Sequence, residues 1–205
     1  MRRSFPVRNS PIEGNGENPW WRRALPLRPS WPPPDPGGRS VGTVIRLIAA
    51  IDVKRGLGDG HGIPWQGKLP SDAAYFRSQT DEGLIVMGFR TYEEFDQPLH
   101  DRTNYVVSRA GSSPLRPGFD AVDDLARFLA DHTGELVWII GGAAVYGASL
   151  ASADELYITQ IDQDFHCTKF FPVFEGEFLL DPGAKTQREN DISFRFETWR
   201  RRRQD

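Results

Sequence analysis

Three observations predict a single α/β domain built on a mostly parallel sheet. Short, nearly continuous apolar runs of strand length recur along the chain, segments with helical apolar spacing separate them, and the whole alternation lies after residue 42. The length agrees, because 205 residues leave room for one sizeable domain and a short appendage. Hydrophobic residues at 39% supply enough apolar surface for one core, which excludes a wholly disordered chain.

The first 40 residues hold nine of the sixteen prolines, including Trp31-Pro32-Pro33-Pro34-Asp35-Pro36, and no periodic apolar pattern. Residues 1–42 are therefore expected to be a disordered arm. It reads either as a solvated extension or, given Trp20, Trp21 and Trp31, as a docking segment for a partner the sequence does not identify. No apolar h-region follows Arg2 and Arg3, and the prolines oppose a transit-peptide helix.

The folded domain is expected over 43–205. Val44-Ile45-Arg46-Leu47-Ile48-Ala49-Ala50-Ile51 reads as a strand buried on both faces. Similar runs predict strands at 84–87, 105–107, 136–140 and 156–161, and helical spacing predicts helices over 71–79, 91–95, 122–131 and 143–150. Strands alternating with helices specify βαβ units with flanking helices. Near the end, Ile192, Phe194 and Phe196 alternate with Ser193, Arg195 and Glu197, the pattern of a half-exposed antiparallel edge strand. Arg200 to Arg203 read as a solvated basic terminus.

Charge narrows the function. The net −3 divides into +4 over residues 1–40 and −7 over the remainder, so the body lacks the basic face of a nucleic-acid binder. No apolar run approaches the roughly 18 residues of a membrane span. A lone cysteine, Cys167, cannot form an internal disulfide; it reads as a small apolar filler and fits a reducing, cytoplasmic setting. His61, His100, His132 and His166 lack ligand spacing, so no metal is expected.

Five clusters can carry chemistry. Gly56-Leu57-Gly58-Asp59-Gly60-His61-Gly62-Ile63-Pro64-Trp65 puts four glycines before an apolar, stiffened end, which suits a mobile loop closing on a ligand or an ordinary connection with a Trp anchor. Pro70 and Ser71 start a helix that carries Asp72 in its first turn and Phe76 one turn later on the same face. Asp72 is then either a pocket carboxylate or a plain first-turn acid complementing the helix dipole. In Ile139-Ile140-Gly141-Gly142-Ala143-Ala144-Val145-Tyr146 a buried strand runs through two glycines into a helix, a phosphate cradle or a tight turn. Met87-Gly88-Phe89-Arg90-Thr91 repeats that grammar with one cation and one hydroxyl. Ser108 and Arg109 end a further strand where open α/β sheets bind ligands, and Arg109 reads as an extra phosphate contact or a solvated surface charge.

Taken in order, these motifs resemble dihydrofolate reductase over essentially all of residues 43–200. The resemblance rests on Leu47-Ile48-Ala49-Ala50, Gly58, Ile63-Pro64-Trp65, Leu69-Pro70-x-Asp72, Phe76, Met87-Gly88-x-x-Thr91, Pro98-Leu99, Arg102-x-Asn104, Ile140-Gly141-Gly142, Tyr146, Tyr157-x-Thr159 and Phe171-Pro172. It implies that family's three-layer sandwich, and NADPH-dependent reduction of 7,8-dihydrofolate to tetrahydrofolate by a monomer.

Under the resemblance, Asp72 binds the pterin and carries a pKa raised by burial, with Trp65, Tyr146 and Thr159 beside it as catalytic residues. Ile48, Ala49, Phe76 and Ile140 line the substrate, Phe95 and Leu99 grip its p-aminobenzoyl ring, and Arg102 pairs with its α-carboxylate. The resemblance assigns Ala50, Gly58 and Ile63 to the nicotinamide end of NADPH. Gly88, Arg90, Thr91, Gly141, Gly142, Ala143, Ala144 and Val145 hold the pyrophosphate, and Ser108 with Arg109 reads the 2′-phosphate. Three features depart from the family: Phe89 where a basic residue often stands, Gly67 and Lys68 lengthening the approach to Leu69, and the arm. The competing readings are a reductase of the riboflavin pathway on the same fold, which Asp72 and Arg102 oppose, and a catalytically idle binding module.

Overall fold

A computed structural model of the chain describes residues 43–108 and 114–202. The expected N-terminal arm, Arg109 and Arg203 lie outside the described residues. Four of the strands expected from the sequence are present: β1 (Val44–Ile51) with the expected bounds, and β3 (Leu84–Gly88), β6 (Leu136–Gly141) and β7 (Glu155–Ile161) each longer by one residue. β1, β3 and β6 are apolar at nearly every position, as strands covered on both faces must be, whereas β7 also carries Glu155, Thr159 and Gln160.

These strands form the middle of one sheet. With β4 (Thr103–Val107), β5 (Phe119–Val122), β10 (Gln187–Glu189) and β11 (Ile192–Arg201), the order is β10-β11-β7-β1-β6-β3-β4-β5. From β7 to β5 every pairing is parallel. β11 is antiparallel to β7, as its alternation predicts, and β9 (Phe178–Leu180) and β10 pair along its other side. A separate short ribbon joins β2 (Gly56–Gly58) to β8 (Lys169–Phe170).

Successive side chains leave a strand on opposite faces, so one sheet organises two cores. Leu47, Val86 and Ile139 face a cluster with α3 (Leu125–Asp131) and α4 (Ala143–Ser149), through Phe128 and Tyr146. Ile48, Ile85, Met87, Trp138 and Ile140 face the other way, against Phe76 of α1 (Pro70–Gln79) and Tyr92 of α2 (Phe89–Glu93). A third cluster gathers Trp65, Leu69, Ile161 and Cys167 under the β11 end of the sheet.

Three expectations need correction. The helix expected over 122–131 begins only at Leu125; Val122 ends β5 beside β4, and Asp124 caps the helix by accepting from the Arg127 N–H at 3.0 Å. The helix expected over 91–95 starts two residues earlier, directly off Gly88, and ends at Glu93. Glu197, expected on the solvent side of its strand, is buried, because Arg195 Nε and Trp199 Nε1 both donate to its carboxylate, at 3.2 and 3.1 Å.

Candidate active site

The carboxyl ends of β1 and β6, the facing side of α1 and the end of α2 enclose a cleft of about 460 Å³, the size of an ordinary small-molecule site. Eleven residues singled out from the sequence line it: Ile48, Ala49, Ala50, Ile63, Trp65, Asp72, Phe76, Thr91, Phe95, Ile140 and Tyr146. Most of these eleven are apolar, and Asp72 is the one among them that carries a charge.

Local sequence explains how Asp72 arrives there. Pro70 occupies the first turn of α1, where its missing N–H costs nothing, and Asp72 follows within the same turn. Across the cleft floor, Thr159 on β7 donates its hydroxyl to Asp72 Oδ1 at 2.6 Å. Thr159 is held at that level by pairing with Ala50 of β1. Burial pushes the Asp72 carboxyl up to about 6; the Thr159 hydrogen bond opposes the rise and the charge of Glu189 adds to it. Near neutral pH the group therefore exchanges a proton, which an exposed aspartate does not.

Tyr146 has a narrower part to play. Its hydroxyl donates to the Ile48 carbonyl at 2.6 Å, and burial drives its pKa far above the neutral range. It acts as a fixed donor that holds the β1 carbonyl at the cleft wall. Its ring packs against Phe171 at 4.8 Å.

On the other side of β6, two glycine turns meet. Gly141 has φ +149, and a Cβ on it would fall 2.8 Å from Thr91 Oγ1. A Cβ on Gly88 would fall 3.0 Å from Val145 Cγ2 and 3.3 Å from the Gly142 nitrogen. Met87 pairs with Gly141, so both turns sit at neighbouring strand ends and begin α2 and α4. Gly88, Arg90, Gly142, Ala143, Ala144 and Val145 are thereby gathered around Thr91 and the β6 end, outside the lining of the cleft itself. Phe89 and Arg90 are exposed.

The glycine-rich loop is fastened at its base. Buried Asp52 accepts from the backbone N–H groups of Lys54, Gly56 and Phe165, at 2.8, 2.6 and 3.2 Å. Gly56 has to be glycine, because a Cβ would lie 2.5 Å from the Cys167 Cβ. Gly58 lies in β2 and its carbonyl accepts from the Thr168 N–H at 2.8 Å. Beyond it the loop turns on Asp59, whose Oδ1 accepts from the His61 and Gly62 N–H groups at 2.8 and 3.1 Å, and reaches the cleft through Ile63 and Trp65, the latter packed on Phe165 at 5.2 Å. Burial raises the Cys167 thiol to about 11, consistent with inert filler.

Three expected residues stand back from the cleft. Leu99 is buried beside Phe95, its backbone N–H and carbonyl both bonded by the Asn104 side chain. Arg102 is half-buried, donates through Nη1 to Thr80 Oγ1 at 3.3 Å, and leaves a buried Nε without a partner among the described residues. Ser108 follows β4 and donates its N–H to the Val122 carbonyl. The expected role of Arg109 falls outside the described residues. Sequence reading missed Leu57, Leu69, Ala73, Glu94 and Asp96 in the cleft wall. Ala73 was within reach of helical spacing from Phe76; Glu94 and Asp96 look like any solvated acids. Among the described residues no group of His, Cys, Asp and Glu could hold a metal, and no helix is long and apolar enough to cross a membrane.

Comparison with known proteins gives one answer at three levels. A family model described as dihydrofolate reductase matches residues 44–201. The dihydrofolate reductase of Bacillus subtilis (strain 168) is 37% identical over 133 residues, 64% of this chain and 77% of that protein. The Haemophilus influenzae dihydrofolate reductase is 32% identical over 154 residues, covering 73% and 94% of the two chains. Among solved structures, a dihydrofolate reductase from Enterococcus faecalis complexed with NADP(H) and RAB-propyl superposes with a TM-score of 0.68. It is 25% identical, with 77% of this chain and 96% of that one covered.

Proposed function

This chain belongs to the dihydrofolate reductase family and is an NADPH-dependent reductase of dihydrofolate, and we propose from that premise that the cleft around Asp72 is its reaction site. The observation that carries the reading is the Asp72 carboxyl, hydrogen-bonded by Thr159 at 2.6 Å in a mostly apolar cleft, where burial pushes its pKa up to about 6. Such a group pairs with the pterin N3 and 2-amino group and keeps a proton available to the ring near neutral pH. Ile48, Ala49 and Phe76 sandwich the flat ring, and Phe95, backed by Leu99, grips the p-aminobenzoyl group. The unpartnered Nε of Arg102 supports pairing with the α-carboxylate, which would complete its hydrogen bonds.

When bound, NADPH supplies the hydride. The two glycine turns, packed so closely that a Cβ on Gly141 would meet Thr91 and one on Gly88 would meet Val145, bring the starts of α2 and α4 together as a site for its pyrophosphate, with Thr91, Arg90, Gly142 and the backbone of Ala143, Ala144 and Val145 around it. Ala50, Ile140 and Tyr146 form the wall where the nicotinamide ring rests, and Gly58 to Trp65, ending in Ile63 and Trp65, covers it and excludes water. Ser108 and Arg109 read the 2′-phosphate. A cytoplasmic monomer is the setting we propose.

The test is the loss of reduced-nicotinamide absorbance on mixing purified protein, NADPH and dihydrofolate, with NADH and an Arg109→Ala variant alongside. Folate-dependent loss that prefers NADPH is expected, and the variant should weaken NADPH far more than NADH. Equal weakening removes Arg109 from the 2′-phosphate site. Folded protein that turns over no dihydrofolate would move the reading to a riboflavin-type substrate or an idle module.

A further inference from the structure

Helix α1 carries Asp72 but has no cap of its own. Its N-cap residue, Leu69, offers no side-chain acceptor, and Pro70 has no N–H, so the first donor left open is the Ser71 N–H. Glu189, the last residue of β10, fills the gap from 118 residues away. Its Oε2 accepts from the Ser71 N–H at 3.1 Å and its Oε1 from Ser71 Oγ at 3.3 Å. One residue further on, Asn190 Nδ2 donates to the Lys68 carbonyl at 2.7 Å.

The hairpin that supplies these contacts is tightly specified. Glu189 pairs with Ile192 across Asn190 and Asp191, which have φ of 47° and 62°. Two positive φ values in a two-residue loop make the turn that matches the twist of paired strands. β10 pairs with β11 and β11 with β7, the strand of Thr159. Asp72 is thus held at two points by one continuous sheet: by Thr159 at its carboxyl, and by Glu189 at the start of its helix.

We infer that Glu189 is a positioning residue for the reaction: it fixes the start of α1, and with it the Asp72 carboxyl, and places a second negative charge against Ser71, the residue that precedes Asp72. The inference rests on the proposed role of Asp72. The titratable groups that act on Asp72 are few. Tyr75 on its own helix and Tyr146 on α4 are both held neutral by burial, and Thr159 on β7 does not titrate in this range. Glu94 and Asp96 line the same cleft, and Glu189 is the carboxylate whose charge acts on Asp72. Nearby like charges resist ionising together, so Glu189 favours the protonated form of Asp72 at the pH where the pterin needs a proton. Removing the Glu189 charge without removing its acceptor oxygen separates anchoring from electrostatics.

The experiment compares the full chain with Glu189→Gln and Glu189→Ala. Asp72 is titrated by carboxyl carbon NMR, assigned with Asp72→Asn, and the pH profile of single-turnover NADPH oxidation by dihydrofolate is recorded beside it. In Glu189→Gln the Asp72 midpoint is expected to fall by about half a pH unit, about threefold in acid constant, and the pH at which the rate declines should fall with it. In Glu189→Ala the same fall should come with a several-fold loss of rate on the acid plateau, because α1 is no longer anchored. A midpoint that does not move in a folded Glu189→Gln overturns the inference. If the midpoint moves while the rate profile stays fixed in every variant, the role of Asp72 itself fails, and with it the part Glu189 plays in the reaction. Should Glu189→Ala not fold, raising the salt concentration of the parent protein provides the second arm, since screening moves the midpoint in the same downward direction.

Discussion

On the α1 side of the cleft the chain places a carboxylate, a hydroxyl and aromatic rings, whereas on the far side of β6 it leaves side chains out. Asp72 brings an ionisable group into a mostly apolar space, held by Thr159 at 2.6 Å. Gly88, Gly141 and Gly142 bring backbone against backbone and side chain, in turns so close that a Cβ on Gly141 would press on Thr91. The two halves therefore carry opposite costs. A buried carboxyl is under continual pressure to give up its ionised form, while a glycine turn costs conformational entropy and tolerates no addition. Mutations in the two halves should separate stability from activity in opposite directions.

The largest effect is expected on the carboxylate side. Asp72→Asn should lower turnover of dihydrofolate at pH 7 by about 10²-fold or more while making the fold more stable by about 2–3 kcal/mol. The sign follows from the raised pKa. The unfolded chain releases the Asp72 proton near 3.8 and the folded chain only near 6, so the parent loses stability as pH climbs through that window. Thermal unfolding of both proteins from pH 3 to 8 checks this: the gain should vanish below about pH 4, and an equal gain at every pH would break the assignment.

The glycine side is expected to respond the other way. Gly141→Ala should cost about 1–3 kcal/mol of stability, because its φ of +149 and the Thr91 contact both oppose a side chain. Gly142→Ala has room, with Thr91 Oγ1 at 3.5 Å, and should leave the melting temperature nearly unchanged while raising the KM for NADPH about tenfold. Steady-state kinetics with varied NADPH decide between a cofactor cradle and a mere tight turn, since a turn would show no change in KM.

Thr159→Val gives the smallest and sharpest effect. It removes one hydrogen bond, worth about 1–2 kcal/mol, and because that bond lowers the Asp72 pKa, the midpoint of the pH–rate profile should move upward. A downward movement would mean that Thr159 bonds the protonated rather than the ionised carboxyl.

The same contrast explains what could be read from the chain. β1, β3 and β6 were legible because each is apolar on both faces, β7 because Leu156, Tyr157, Ile158 and Ile161 make a short apolar run, and α1 because Pro70, Asp72 and Phe76 fall at helical spacing. Strands of two to four residues were not, since β2, β5, β8, β9 and β10 exist through their pairing partners and not through any pattern of their own. Asp72 could be singled out from its position, but the Glu189 contact to Ser71 spans 118 residues with no local signature. Glu197 was misplaced for a related reason: its burial depends on Arg195 and Trp199 turning back onto it. Long-range polar pairing is what alternation of apolar residues cannot encode.

The central place of β1 also governs how the chain is assembled. Among the described residues the strand made first is the middle strand, and its partners in β6 and β7 lie 92 and 109 residues later in the chain. At a synthesis rate of about 5–20 residues per second, β1 waits roughly 5–20 s for its first neighbour. Through that interval the nascent chain presents eight largely apolar residues with open strand edges, the kind of segment that chaperones bind and that aggregates when crowded. The strand that anchors the finished cleft is therefore also the one the cell must shelter longest before the cleft exists.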